Sequence, residues 1–145
     1  MTAELPVKMT EKELYVFLAR EFPQLANRGE EYDIESVGGG EARVRLKAND
    51  LLLRPGGTIA GPAMMTLADM SSYVVILAHV GPVALAVTTN LNMNFLRKPA
   101  PGDLVCTCKF LKLGKRLVVT DSAIISADSG DLVAHATATY SIPPS

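Results

Sequence analysis

Arg54-Pro-Gly-Gly-Thr-Ile-Ala-Gly-Pro-Ala-Met-Met-Thr-Leu-Ala-Asp69 is the stretch that decides the fold. A glycine-rich turn runs directly into an apolar segment that continues to Val80, and one carboxylate, Asp69, stands where an aliphatic is expected. Gly61 gives a flexible entry, Pro62 suits the first helical position because its missing N–H would have had no partner there, and Gly81-Pro82 stops the run. The spacing predicts one helix over about 62–80. Apolar residues fall on all its sides, the pattern of a helix enclosed by other structure. Its length alone would also cross a bilayer, but Asp69, Ser71, Ser72 and His79 interrupt it, and no second span or basic cluster flanks it. Ionising a carboxyl among apolar groups is costly, so Asp69 must be paired, neutral or beside a solvent-reached cleft.

Working outward, 145 residues make one domain, 1–145, long enough for a real core, and 48% hydrophobic content fits a globular protein. The net charge of −1 provides no basic field for a nucleic-acid partner. The start, Met1-Thr-Ala-Glu-Leu-Pro6, lacks the charged and apolar regions of an export signal, so the cytoplasm is the expected location. Cys106 and Cys108 are two apart in a strand-like run, share a face and are badly placed to bridge. With His79 and His135 the only histidines, the two cysteines read as small apolar strand residues, and no metal site is expected.

Thr10-Glu-Lys-Glu13 is a capping box, and Leu14, Phe17, Leu18 and Phe22 follow at helical spacing before Pro23, which predicts a helix over about 11–21. Tyr32 to Val37 and Ala42 to Ala48 flank three glycines and read as a strand pair, followed by a loop over 49–57. After the long helix, residues 83–97 alternate. Val83, Leu85, Val87, Thr89, Leu91, Met93 and Phe95 fall on one face, with Thr88, Asn90, Asn92 and Asn94 on the other. Turns at Pro99 to Asp103, Gly114 to Arg116 and Asp128 to Asp131 then delimit strands over about 104–113, 117–127 and 132–142. The order of elements predicts an α+β fold, an antiparallel sheet wrapped around one long central helix.

A Gly-rich turn, a buried helix with one acid and four long strands together resemble the hotdog fold, in particular the PaaI-type acyl-CoA thioesterases. The resemblance spans about 30–141. That family's turn reads Gly-x-aliphatic-His-Gly-Gly with an acid following on the helix; Gly57-Thr-Ile-Ala60-Gly61-Pro62 occupies the turn here, and Asp69 stands at the acid's spacing. Val87-Thr88, Phe95-Leu-Arg-Lys-Pro99 and Leu113-Gly-Lys-Arg116 are further matches. The family's His falls on Ala60, its second Gly on Pro62, and an Asn carried by several members on Arg54.

The resemblance implies thioester hydrolysis, with Thr88 helping to orient water or the acid. An attacking oxygen and a donor for the developing oxyanion are required. Asp69 is expected to activate water or attack directly. The Gly61 N–H, at a helix N-terminus, is expected to hold the oxyanion. The two are eight residues apart on one helix, about 12 Å along its axis, so both can reach one carbonyl only if they come from different subunits of a homo-oligomer, a dimer or dimer of dimers. No cofactor is expected beyond coenzyme A as part of the substrate, and its phosphates would suit Arg54, Arg97, Lys98, Lys115 or Arg116. Ala60, Pro62, Tyr73 and Asn90 complete the expected binding residues. With Ala60 in place of the motif His, a non-catalytic binder of acyl-CoA or an aromatic acyl group is the alternative. A hydratase is a third reading, weakened because neither histidine lies near the turn.

Overall fold

A computed structural model describes residues 5–23 and 31–144; residues 1–4, part of the stretch read for an export signal, lie outside them. Helix α1 runs Glu11–Glu21, strands β1 and β2 Tyr32–Gly38 and Glu41–Leu46, and a 3-10 turn at Asp50–Leu52 leads to a small hairpin, β3 (Leu53–Arg54) and β4 (Thr58–Ile59). Helix α2 covers Gly61–Val80, and β5 to β8 cover Val87–Phe95, Leu104–Leu113, Leu117–Ser126 and Leu132–Ser141. The capping box of α1 is closed in both directions: Thr10 Oγ1 accepts from the Glu13 N–H, and Glu13 Oε1 accepts from the Thr10 N–H.

Six strands form one antiparallel sheet in the order β1-β2-β6-β7-β8-β5, and α2 packs along one face of it. This is the α+β arrangement expected, a sheet curled around one central helix. Fourteen of the twenty residues of α2 are buried. Its buried serines are satisfied: Ser71 and Ser72 donate to the carbonyls of Leu67 and Ala68 one turn back, and Ser72 also meets Thr120 Oγ1 at 2.8 Å. Burial pushes the Cys106 thiol up to about 12 and raises Cys108 as well, so both sit as neutral core residues beneath α2.

Two expectations are corrected. The strand placed at about 83–97 is shorter, Val87–Phe95, because Ala84–Leu85 form a turn and the Tyr73 hydroxyl donates to the Ala84 carbonyl, holding it against α2. Its alternation is also broken. Thr88 pairs with Tyr140 and Asn90 with Thr139, so Thr89 is the extra residue of a bulge. Ahead of the bulge Ala86 and Thr88 turn toward α2; beyond it Leu91 and Met93 do, packed against the core. The loop read over 49–57 contains the 3-10 turn and the first strand of the small hairpin, whose bend uses positive φ at Gly56 and Gly57.

Candidate active site

Asp69 lies midway along α2, half-buried, where the helix passes beneath the start of β5 and the end of β8. Its Oδ1 is held by two hydroxyls. Thr88 Oγ1 donates at 2.6 Å, and the Tyr140 hydroxyl lies at 2.7 Å, sharing its proton with the Asp69 main-chain carbonyl oxygen at 2.9 Å. The bulge at Thr88–Asn90 is what aims Thr88 inward. Oδ2 has no hydrogen bond to a described residue, and no buried side-chain oxygen among them lacks one, so Oδ2 is open to solvent. Burial first, then the neighbouring Asp69 carboxylate, push the Tyr140 phenol well above the ordinary tyrosine range, so it remains a donor.

Asp69 forms part of the wall of an open, mainly apolar groove of about 520 Å3. An aromatic row continues that wall toward α1: Tyr140 stacks on Tyr73 with centroids 6.4 Å apart, and Phe22 meets Tyr73 edge-on at 6.1 Å. Met65, Met70 and Leu91 line the rest. Among the lining residues only Asp69 carries a formal charge.

A second groove, of about 670 Å3, opens at the N-terminus of the same helix and shares no lining residue with the first. Gly61, Pro62, Arg54, Arg97 and Lys98 line it, with the Phe95 ring lying across Gly61. Ala60 is the N-cap and supplies no side-chain hydrogen bond, Pro62 has no N–H, and the Ala63 N–H turns back to the Ala60 carbonyl. The Gly61 N–H therefore has no partner among the described residues, and the positive end of the helix dipole is aimed at the groove.

The predicted residues thus separate. Asp69, Thr88 and Tyr73 meet in the first groove; Arg54, Gly61, Pro62, Arg97 and Lys98 meet in the second, beside Ala60. Lys115 and Arg116 are exposed in the turn joining β6 to β7 and line neither. They stand at the Asp69 end of the sheet, since Ser141 pairs with Val87 on one side and Leu117 on the other. Asn90 faces away from α2 on β5, an edge strand of the sheet, and lines neither groove. Tyr140 and Phe22 were not among the expected site residues. Tyr140 could have been found: on the helix-facing side of β8 it follows Ala134, Ala136 and Ala138, and a lone hydroxyl in a row of alanines needs a partner.

One long helix enclosed by a single antiparallel sheet is the hotdog arrangement. A family model described as the thioesterase superfamily matches residues 56–133, and the chain belongs to that superfamily. A solved structure of a candidate thioesterase from Silicibacter sp. TM1040 is 42% identical, with a TM-score of 0.86, over 97% of this chain and 96% of that one. A Streptococcus mutans protein solved with acetyl-CoA bound is 25% identical at a TM-score of 0.70, over 79% and 90% of the two chains. A candidate esterase of Halobacterium salinarum is 30% identical over 104 residues, 68% of each chain.

Proposed function

We propose that this chain hydrolyses acyl-coenzyme A thioesters at a site shared between two copies. The observation that carries the reading is Asp69 itself, with one oxygen held by Thr88 and Tyr140 and the other open to an apolar groove. Asp69 Oδ2 takes a proton from water as the water oxygen bonds to the thioester carbon. The carbonyl oxygen becomes an oxyanion beside the Gly61 N–H of the second copy. Collapse breaks the C–S bond, and the thiolate leaves with the proton from Asp69.

Two copies are required because the groups stand about 12 Å apart on one helix. Edge strand β5 gives the means to join them. Antiparallel pairing of β5 with its own copy about Leu91 sets Thr88 opposite Asn94, next to the Phe95 ring that covers Gly61. The same pairing brings Lys115 and Arg116 of one copy toward Arg97 and Lys98 of the other, a cationic rim suited to the phosphates of coenzyme A. The acyl group would lie along Met65, Met70 and Tyr73.

Purified protein is assayed against acyl-CoAs of graded chain length and an aryl acyl-CoA, with detection of free thiol. Turnover in the wild type and a fall of about a thousandfold in kcat for Asp69→Asn is the expected result. Turnover that survives Asp69→Asn removes this mechanism. The replacement of the family's motif His by Ala60 favours a second reading, a non-catalytic acyl-CoA binder, and tight binding by an inert wild type would support it.

A further inference from the structure

We infer that Tyr140 is the positioning residue of the site, fixing Asp69 so that Oδ2 alone meets the substrate; the inference rests on the reading of Asp69 as base. A carboxylate on a helix can turn about two side-chain bonds, and Thr88 alone, on an edge strand, holds Oδ1 from one direction. Tyr140 closes the other. It comes from β8, which has a strand on each side, is 3% exposed, and is braced by its stack on Tyr73, so its hydroxyl is a fixed point. That hydroxyl reaches both Asp69 Oδ1 and the Asp69 carbonyl oxygen, gripping the residue by side chain and backbone together.

Two donors on Oδ1 occupy the lone pairs that face them and leave Oδ2 as the oxygen turned to the groove, whose lining supplies no cation to compete for it. Removing the Tyr140 hydroxyl leaves Asp69 held by Thr88 alone and less well aimed.

Tyr140→Phe keeps the ring and its stack while deleting the donor. Its kcat per folded molecule is expected to fall about tenfold, with KM within about twofold of wild type. Thr88→Val, which deletes the other donor to Oδ1, should lower kcat in the same way. His79→Ala, which loosens the far end of α2 without touching Asp69, should leave kcat per folded molecule in place and so reports a merely structural effect. If Asp69→Asn abolishes turnover while Tyr140→Phe leaves kcat per folded molecule unchanged, as His79→Ala does, the positioning role is overturned and the base stands. If Asp69→Asn keeps wild-type turnover, or the wild type cleaves no thioester offered, the base reading fails and takes this inference with it.

Discussion

The two grooves lie on one helix yet are built in opposite ways. At Asp69, on α2, two hydroxyls from β5 and β8 converge on a single carboxylate oxygen in an apolar setting. At Gly61 the group on offer is a bare main-chain N–H, with cationic side chains around it and no side-chain cap. The contrast follows from how each group is oriented. A carboxylate swings on rotatable bonds and needs a clamp, whereas a first-turn N–H is aimed by the helix backbone and needs only to be left unpaired. Ala60 and Pro62 leave it so: one provides no capping oxygen and the other no competing donor.

Asp69→Asn breaks the first groove and carries the largest effect. The next largest comes from the second groove. Gly61→Pro deletes the N–H without distorting the entry, since Ala60 is already extended at ψ 143°, the conformation that a following proline demands. An added Cβ meets only the Phe95 ring, at 3.3 Å, and that ring is half exposed. A fall of about a hundredfold in kcat is expected for Gly61→Pro, and much less for Gly61→Ala, which keeps the N–H. Equal losses would show that space, not the donor, matters there. Mixing the Asp69→Asn and Gly61→Pro chains after unfolding sharpens the test. Half the dimers are mixed, and each mixed dimer holds one intact site, so recovery to about a quarter of wild-type activity is expected. No recovery would mean that each chain uses its own two groups.

A smaller effect is expected from the rim. Arg97 and Lys98 are exposed and flank the Gly61 groove, so removing both should raise KM for an acyl-CoA about tenfold with kcat little changed. A matched thioester lacking the nucleotide should be cleaved equally by both proteins. If its KM rises as well, the cations act on the fold or the acyl group.

Much of this contrast was legible in the sequence. Pro62 and Gly81 bound α2, the glycine and proline turns delimit β6 to β8, and Asp69 stood out because local periodicity asked for an aliphatic. The eight-residue spacing of Gly61 and Asp69 already placed them on one helix and too far apart to share a substrate carbon. What was hidden depends on contacts between distant segments. The bulge at Thr88–Asn90 reverses which residues of β5 face the helix, and its alternating sequence carries no glycine to announce it. Tyr140 is 71 residues from Asp69 and reads locally as one more inward strand residue. Arg54, Arg97 and Lys98 share a groove only because the β3–β4 hairpin folds back beside the end of β5, where the Ile59 N–H donates to the Pro99 carbonyl.

His79, near the end of α2, supplies a third position against which the two grooves can be judged. It is 5% exposed, and the Gly40 N–H can only donate, so His79 Nε2 accepts from it at 2.9 Å while Nδ1 carries the hydrogen toward the Val75 carbonyl at 2.8 Å. The Phe110 ring meets it edge-on, and the imidazole thereby ties the turn between β1 and β2 to the helix. His79→Ala strands the buried Gly40 N–H and leaves a void, at a cost of about 2–3 kcal/mol read as a lower urea midpoint with an unchanged slope. His79 stands ten residues beyond Asp69, about 15 Å along the axis, so kcat/KM per folded molecule should not change. A loss of kcat/KM at full folding would tie the far end of α2 to the chemistry. An unmoved kcat/KM beside a lowered midpoint would leave the last turn of the helix as core that supports the site without entering its chemistry.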